Sequence, residues 1–438
     1  MDNNLTQKQD NIPTIDLTVI HKKHDYEDTR NQTKGHFSDK RETIGIINGI
    51  DTIAIIEISE PIVVSVADKD YPWGWFQFPT MGVNDNGIIS VQWSMKNDSA
   101  EDYGDDFGRN NTKISLDNGK TWQDPTNDIN IPAFREQVRI GEGEIIAIST
   151  QESEDISLIE KFPPPIFSYG EKDFYYERDL PDKYKGIYVN YFTNNVKRTI
   201  HAKVENDDLI RYSDKGLIST FWFGKLAIKN KDLYACVYPS YYEDSNGNLN
   251  PSAISFYKSS DLGESWILKG VINYQTKKDL HSNANFNNDG FTEPTFEFLK
   301  DGSVLCVMRT SEGNVAPMYK SYSYDYGENW TDPEPITPNG VMPQLIRLDQ
   351  NILVMASGRP GIQLRISCDG KGEEWTYPIE LIDYDEDKNW VNDTCGYPFV
   401  YKKSENEVFI VYSNFKNRDS MGEIRKSINF RKIKVYKI

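Results

Sequence analysis

Ser323-Tyr324-Asp325-Tyr326-Gly327-Glu328-Asn329-Trp330 reads as a tight turn with a side-chain mechanism. The serine and aspartate can bond nearby backbone N–H groups, the glycine is free to take a positive φ, and the tryptophan can plug a sheet edge. The octapeptide recurs. Ser115-Leu116-Asp117-Asn118-Gly119-Lys120-Thr121-Trp122 and Ser259-Ser260-Asp261-Leu262-Gly263-Glu264-Ser265-Trp266 repeat it position for position, and Ser367-Cys368-Asp369-Gly370-Lys371-Gly372-Glu373-Glu374-Trp375 repeats it with one residue inserted. Four copies of one turn among short apolar runs point to repeated strand units, a propeller or an array, and away from a conventional two-layer domain.

The whole chain fits that reading. With 438 residues, 38% hydrophobic and 13% aromatic, it can bury a large core of short sheets packed face to face. Its formal charge of −18 argues against a nucleic-acid partner, because phosphate backbones are held by lysine and arginine. No apolar run reaches membrane-spanning length, which points to a soluble protein without a membrane partner. The four cysteines, Cys236, Cys306, Cys368 and Cys395, show no CxxC pair, so buried thiols and no zinc site are expected. No secretory signal is visible at Met1-Asp2-Asn3-Asn4-Leu5. Either the chain is not exported by that route or the sequence starts after a removed signal, and the compartment, cytoplasmic or extracellular, stays open.

Taken in order, residues 1–40 are polar and read as a flexible arm with one strand candidate over Thr14–Ile20. Its histidines, His21, His24 and His36, read as solvated. The Ile- and Val-rich stretch Thr43–Ala67 and the apolar run Ile428–Ile438 are expected to pair and close a ring, removing exposed edges. Residues 41–438 then form the folded domain. Trp73–Trp122 looks like a first unit, with the hairpin signal Asn84-Asp85-Asn86-Gly87. A second begins near Phe134, a third runs from Phe223 to Trp266, a fourth holds Thr292–Trp330, a fifth runs from Met342 to about Ile382, and a sixth includes Cys395–Asn414. Residues 151–217 contain no such turn and carry Pro163-Pro164-Pro165, which suggests an insertion, a lid or an irregular unit.

The S-x-D-x-G-x-x-W turn resembles the Asp box (BNR repeat) of the sialidase, or neuraminidase, superfamily. That resemblance implies an all-β fold, a six-bladed β-propeller of four-stranded antiparallel blades. It extends beyond the turns, over Trp73 to Asn414. Glu293-Pro294…Leu299-Lys300-Asp301-Gly302…Arg309 is similar to the family's E-P…L-x-D-G…R pattern, Arg359 in Ser357-Gly358-Arg359-Pro360-Gly361 looks like the arginine of the next blade, and Cys395-Gly396-Tyr397-Pro398 looks like the tyrosine that follows.

The chemistry stands beside the resemblance. A sugar whose anomeric carbon bears a carboxylate repels an anionic nucleophile, so a phenol activated by a carboxylate base suits it, with Tyr397 as nucleophile and Glu293 as base. Arg309 and Arg359 would clamp the sugar carboxylate with bidentate charge-assisted bonds. Asp102 falls where the family's acid/base aspartate would, although Asp98, Asp105 and Asp106 compete in the same loop. Each has a plainer competitor: a turn cap for Glu293, structural ion pairs for the arginines, a core aromatic for Tyr397. The family's first blade carries Arg-Ile-Pro, but this chain has Phe76-Gln77-Phe78-Pro79, so Gln77 replaces the third arginine of the clamp. Losing a charge-assisted contact costs on the order of 1.5–3 kcal/mol. Lys96, Arg109, Arg135 and Arg139 are candidates to compensate. Trp75, near Trp73 and Phe76, is a candidate for stacking on a sugar face. The resulting expectation is a retaining exo-glycosidase that removes a terminal acidic sugar from a carbohydrate partner without metal or cofactor. The alternatives are a lyase or glycosidase acting on a uronic acid, for which His201 or His281 would supply the acid or base, and an inactive carbohydrate-binding propeller.

Overall fold

A computed structural model describes residues 14–15, 36–48, 51–102, 110–126, 131–193, 196–219, 223–275, 290–310, 316–384 and 390–438. The described chain is built almost entirely of antiparallel strands, with short 3-10 turns between them. No helix among the described residues is long and apolar enough to cross a membrane.

The sheets follow one another along the chain. Trp75–Val83, Ile89–Met95 and Asn110–Ser115 form a three-stranded meander, which an isolated bridge from Ile114 to Gln123 extends. Phe291–Phe298, Val304–Thr310, Tyr319–Ser323 and Glu334–Pro335 form a four-stranded sheet. Four more, Phe223–Lys229, Asp232–Ser240, Ala253–Ser259 and Ser265–Ile272, pair in order. The last of these runs parallel to Val196–Glu205, merging this sheet with Gln137–Gly141, Glu144–Ser149 and Ile187–Thr193 into one of eight strands. The expected uniform four-stranded units are therefore only partly realised, because outer edges find additional partners and the first meander stops short. Ser213 and its neighbours explain part of residues 151–217: Glu154–Asp155, Phe167–Tyr169, Lys172–Tyr176, Ile210–Asp214 and Leu217–Ile218 make a separate five-stranded sheet, inserted between strands of the eight-stranded one.

The two ends of the domain meet as the apolar patterning anticipates. Asp51–Ile58 pairs antiparallel with Ile424–Lys437, which also takes Ile62–Val66 and pairs with Glu407–Arg418 beside Phe399–Lys402. Part of the expected free arm is corrected. Thr14–Ile15 runs parallel to Gly45 and Ile46, and His36–Phe37 runs parallel to Ile379–Glu380. His36 is not solvated: its Nε2 lies 2.6 Å from Glu42 Oε1, and the fully buried Arg431 guanidinium donates to the carbonyls of Ser38 and Lys40 at 2.6 and 2.7 Å. His21 and His24 lie outside the described residues.

Six sheet-edge strands, Trp75–Val83, Gln137–Gly141, Phe223–Lys229, Phe291–Phe298, Val341–Arg347 and Phe399–Lys402, touch in that order and form the inner strands, and the last returns to the first. The four octapeptide turns show why the sheets stack. In each, the serine hydroxyl donates to the aspartate carboxylate, which in turn accepts backbone N–H groups from the residues that follow it. In three of them the turn glycine packs closely on the preceding sheet. A Cβ at Gly327 (φ +94°) would lie 2.1 Å from the Phe256 ring, one at Gly372 2.5 Å from Leu305, and one at Gly119 2.4 Å from Phe430. The last contact joins the first meander to the C-terminal strand. The turn tryptophans Trp266 and Trp375 are buried, each with its indole N–H donating to the carbonyl of the turn glycine.

Asp369 carries the heaviest of these turns. Its carboxylate accepts from the N–H groups of Lys371, Gly372, Glu373 and Glu374 at 2.7–3.0 Å. Burial alone would push its pKa up, yet the Ser367 hydroxyl and these backbone donors bring it below the usual carboxylate value. Stability gained this way is present above the ordinary aspartate pKa of about 3.9 and is lost as pH falls through the lower folded value. Asp369→Ala should therefore cost about 2–3 kcal/mol in urea unfolding at pH 7, and the gap to the native chain should narrow below about pH 4. A gap that does not change with pH would show that the carboxylate charge is not what holds the turn.

Candidate active site

Three of the inner strands repeat one backbone device. Phe78, Glu293 and Met342 each precede a proline and hold φ of 53°, 48° and 47°, and each sits at a register shift in its strand pairing. Left-handed backbone at a non-glycine residue costs about 1–3 kcal/mol and persists only where its surroundings fix it. A bulge of this kind re-aims a side chain out of the sheet's alternation. Here it gathers residues from separate sheets at the same end of the inner strands.

Glu293 is the centre of that gathering. It is 4% exposed, and its Oε1 accepts the Tyr397 hydroxyl and, at 2.7 Å, Nη1 of Arg309. Its Oε2 accepts the Met342 N–H at 2.7 Å. The same Arg309 Nη1 lies 3.2 Å from the Tyr397 hydroxyl. Three sheets thus converge on one carboxylate. Burial and the negative charge of Glu293 push the Tyr397 phenol well above the ordinary tyrosine value, against the opposing pull of Arg309 and Arg359. Burial by itself would lower Arg309, but Glu293 and Tyr397 hold it above the usual guanidinium value. A phenol bonded to a buried carboxylate is a proton-transfer pair ready to act; the phenol stays protonated until the carboxylate takes its proton.

Arg359, 9% exposed, stands on the other side of Tyr397. Its φ is 50°, its Nη2 donates to the Cys395 carbonyl at 3.2 Å, and its guanidinium carbon lies 5.7 Å from the Tyr397 ring centre and 5.9 Å from that of Trp73. Phe78 meets the Tyr397 ring edge-on at 5.0 Å. Gln77, one residue earlier, is fully buried, and neither of its amide atoms has a hydrogen-bond partner. The Nε atoms of Arg309 and Arg359 are likewise buried without a partner. Unsatisfied polar atoms at such depth are expensive and call for an explanation.

Of the residues singled out in the sequence, Glu293, Arg309, Arg359 and Tyr397 come together, and Gln77 lies beside them in sequence next to Phe78. Asp102 ends the short 3-10 turn Ala100–Asp102, just after Asp98, whose carboxylate accepts the Trp73 indole N–H at 2.9 Å. Trp75 stacks on Tyr71 at 5.2 Å and donates to Asn97, and Trp73 is an indole that faces Arg359. Arg135 and Arg139 do not replace the missing clamp arginine, because their guanidinium groups bind the carbonyls of Pro79, Pro398 and Val83 further down the inner strands. His201 stacks on Tyr188 at 4.4 Å in an outer strand, away from this cluster. His281 and Arg109 lie outside the described residues. Among the described residues no three His, Cys, Asp or Glu side chains gather as a metal site.

Sequence reasoning missed the Met342 N–H, Phe78 and Tyr238, a buried phenol raised well above its ordinary value first by burial and then by the charges of Glu293 and Tyr397. A signal was present: Phe78-Pro79, Tyr238-Pro239, Glu293-Pro294, Met342-Pro343, Arg359-Pro360 and Tyr397-Pro398 all carry a large side chain directly before proline.

No protein-family model matches the chain, and no curated protein matches it. Among solved structures, a protein of unknown function from Dyadobacter fermentans superposes with a TM-score of 0.60 at 17% identity, covering 87% of this chain and 99% of that one, so the two share a fold. Looser similarities reach a Penicillium chrysogenum alpha-L-arabinanase complexed with arabinobiose, with a TM-score of 0.48, 13% identity and coverage of 84% and 97%. The NanB sialidase from Streptococcus pneumoniae gives a TM-score of 0.45, 14% identity and coverage of 85% and 70%.

Proposed function

We propose that the chain is a six-bladed β-propeller and a sialidase-like glycoside hydrolase, which releases a terminal acidic sugar from a glycan with retention of configuration. The observation that carries this reading is the Tyr397 hydroxyl bonded to Oε1 of the buried Glu293 carboxylate, with Arg309 Nη1 donating to that oxygen and to the phenol oxygen. As the Tyr397 oxygen bonds to the anomeric carbon, its proton passes to Glu293, and the bond to the leaving oxygen breaks as Asp102 protonates it. Water, deprotonated by the same aspartate, then displaces the tyrosine, which recovers its proton from Glu293. A phenol nucleophile spares the anionic sugar the repulsion that a carboxylate nucleophile would impose. Arg309, Arg359 and the Gln77 amide would hold the sugar carboxylate, and their buried unpartnered N–H groups support that role. With glutamine in the place of a third guanidinium, the clamp is weaker in charge, which favours an acidic sugar held partly by neutral hydrogen bonds.

Release of the fluorophore from an α-linked sialic acid glycoside tests the mechanism. Tyr397→Phe should slow turnover by at least about a thousandfold and Glu293→Gln by about 10²–10⁴, with both variants folded by circular dichroism. Unchanged turnover in Tyr397→Phe would sink the nucleophile assignment. A native chain inert on the sialoside would exclude ordinary sialic acid, and other acidic sugars would then be screened.

Gln77→Leu separates a ligand contact from a structural one. Because the amide bonds nothing in the fold, its loss should leave urea stability within about 1 kcal/mol of the native chain or slightly improve it. KM for the acidic sugar should rise about tenfold. A stability loss above about 2 kcal/mol would mean that the amide serves the fold.

A further inference from the structure

Below the Glu293 cluster, the inner strands enclose a second space. A cavity of about 370 Å³ runs between them, beginning beside Pro294, and five cationic side chains, Arg135, Arg139, Lys225, Arg347 and Lys402, line it against one acid, Glu297. That concentration of positive charge stands out in a chain of net charge −18.

The nearby carboxylates account for three of the five cations. Lys225 Nζ lies 2.5 Å from Glu297 and also donates to the Leu345 carbonyl at 2.6 Å. Arg139 contacts Asp85, and Lys402 lies 3.4 Å from Asp349 at the open rim. Arg135 is held otherwise: its two terminal nitrogens donate to the carbonyls of Pro398 and Pro79 at 3.2 Å, and its guanidinium lies 5.8 Å from the Phe399 ring centre. On Arg347 the Nε is buried without a hydrogen-bond partner. A buried guanidinium N–H that bonds neither protein nor solvent carries a desolvation cost, which an anion would offset. The planar fork of arginine suits the tetrahedral oxygens of a phosphate or sulfate group.

We propose that this axial cavity is a binding site for a small oxyanion of the phosphate or sulfate class, with Arg347 as its principal contact and Arg135 and Lys402 contributing charge. The site is separate from the sugar clamp and does not depend on the glycosidase reading. Its walls come from several sheets, so the anion would also tie together strands that otherwise meet only through side chains.

Titration calorimetry of the full chain with sodium phosphate, ionic strength held constant with sodium chloride, tests it. The native chain should bind one phosphate saturably, sulfate should compete, and Arg347→Gln should weaken binding at least about tenfold. Arg359→Gln, which alters only the mouth, should leave the affinity unchanged. The proposal is overturned by heats that do not saturate above the chloride background, by equal affinity in Arg347→Gln, or by loss of binding in Arg359→Gln, which would place the anion in the sugar clamp. Should Arg347→Gln fail to fold by circular dichroism, the rim substitution Lys402→Gln decides: a several-fold loss supports the site, and unchanged affinity refutes it.

Discussion

A carboxylate that is 4% exposed needs hydrogen-bond partners, and Glu293 draws them from three directions: the guanidinium of Arg309 in the adjoining strand, the hydroxyl of Tyr397, and the N–H of Met342. Arg309 lies in the same sheet as Glu293, Met342 in another, and Tyr397 just before the strand Phe399–Lys402 of a third, so the carboxylate is satisfied only when those sheets are correctly placed. Removing one partner from such a group leaves a buried charge uncompensated, commonly at 3–5 kcal/mol. The same four groups therefore also report whether the sheets around them are correctly assembled. The cost of holding Glu293 at φ 48° is offset by that network, which is the usual relation between backbone strain and a functional cluster.

Assembly of the ring rests on a second constraint, the close contact of three of the four turns with the sheet before them. Gly327 against Phe256, Gly372 against Leu305 and Gly119 against Phe430 are approaches too close for any Cβ. The glycine is thus required twice, for its positive φ and for its missing side chain. Because Phe430 lies in the C-terminal strand, the first turn docks on the last sheet, and the antiparallel pairing of Ile58 with Ile433 reinforces the same closure. Aromatic packing between sheets, such as Phe256 on Phe296 at 5.0 Å and on Trp330 at 5.3 Å, fills the space that the turns define.

What the sequence made legible follows from locality. The turns are readable because their hydrogen bonds run within a few residues, as from Ser323 to Asp325 and Gly327, so eight letters hold the whole mechanism. Glu293 and Arg309 are readable as a pair because they lie on adjacent strands of one hairpin. What stayed hidden is non-local. The parallel edge between Val196–Glu205 and Ser265–Ile272, the insertion of His36–Phe37 beside Ile379 and the choice of Trp73 over Trp75 against Arg359 depend on how sheets meet. Alternation along a strand leaves such choices open, and bulges at Trp75, Gln77 and Thr80 reset the alternation just where the two tryptophans compete.

The inner strands also explain how one short axis holds opposite electrostatic demands. Beyond the bulge at Met342 the strand continues to Arg347, beyond Tyr397 the chain reaches Lys402, and beyond Glu293 it reaches Glu297. At about 3.3 Å per residue, four or five positions of extended chain separate the two levels by roughly 13–17 Å. Arg135 is held between the two levels by the carbonyls of Pro79 and Pro398, and both oxygens of Glu293 already have partners of their own. The cluster around Glu293 can therefore keep its proton balance through its own close contacts, Arg309 at 2.7 Å foremost, while the cations below remain available to a different ligand. Strands of this length supply two levels because a bulge, as at Glu293 and Met342, ends one side-chain alternation and begins another.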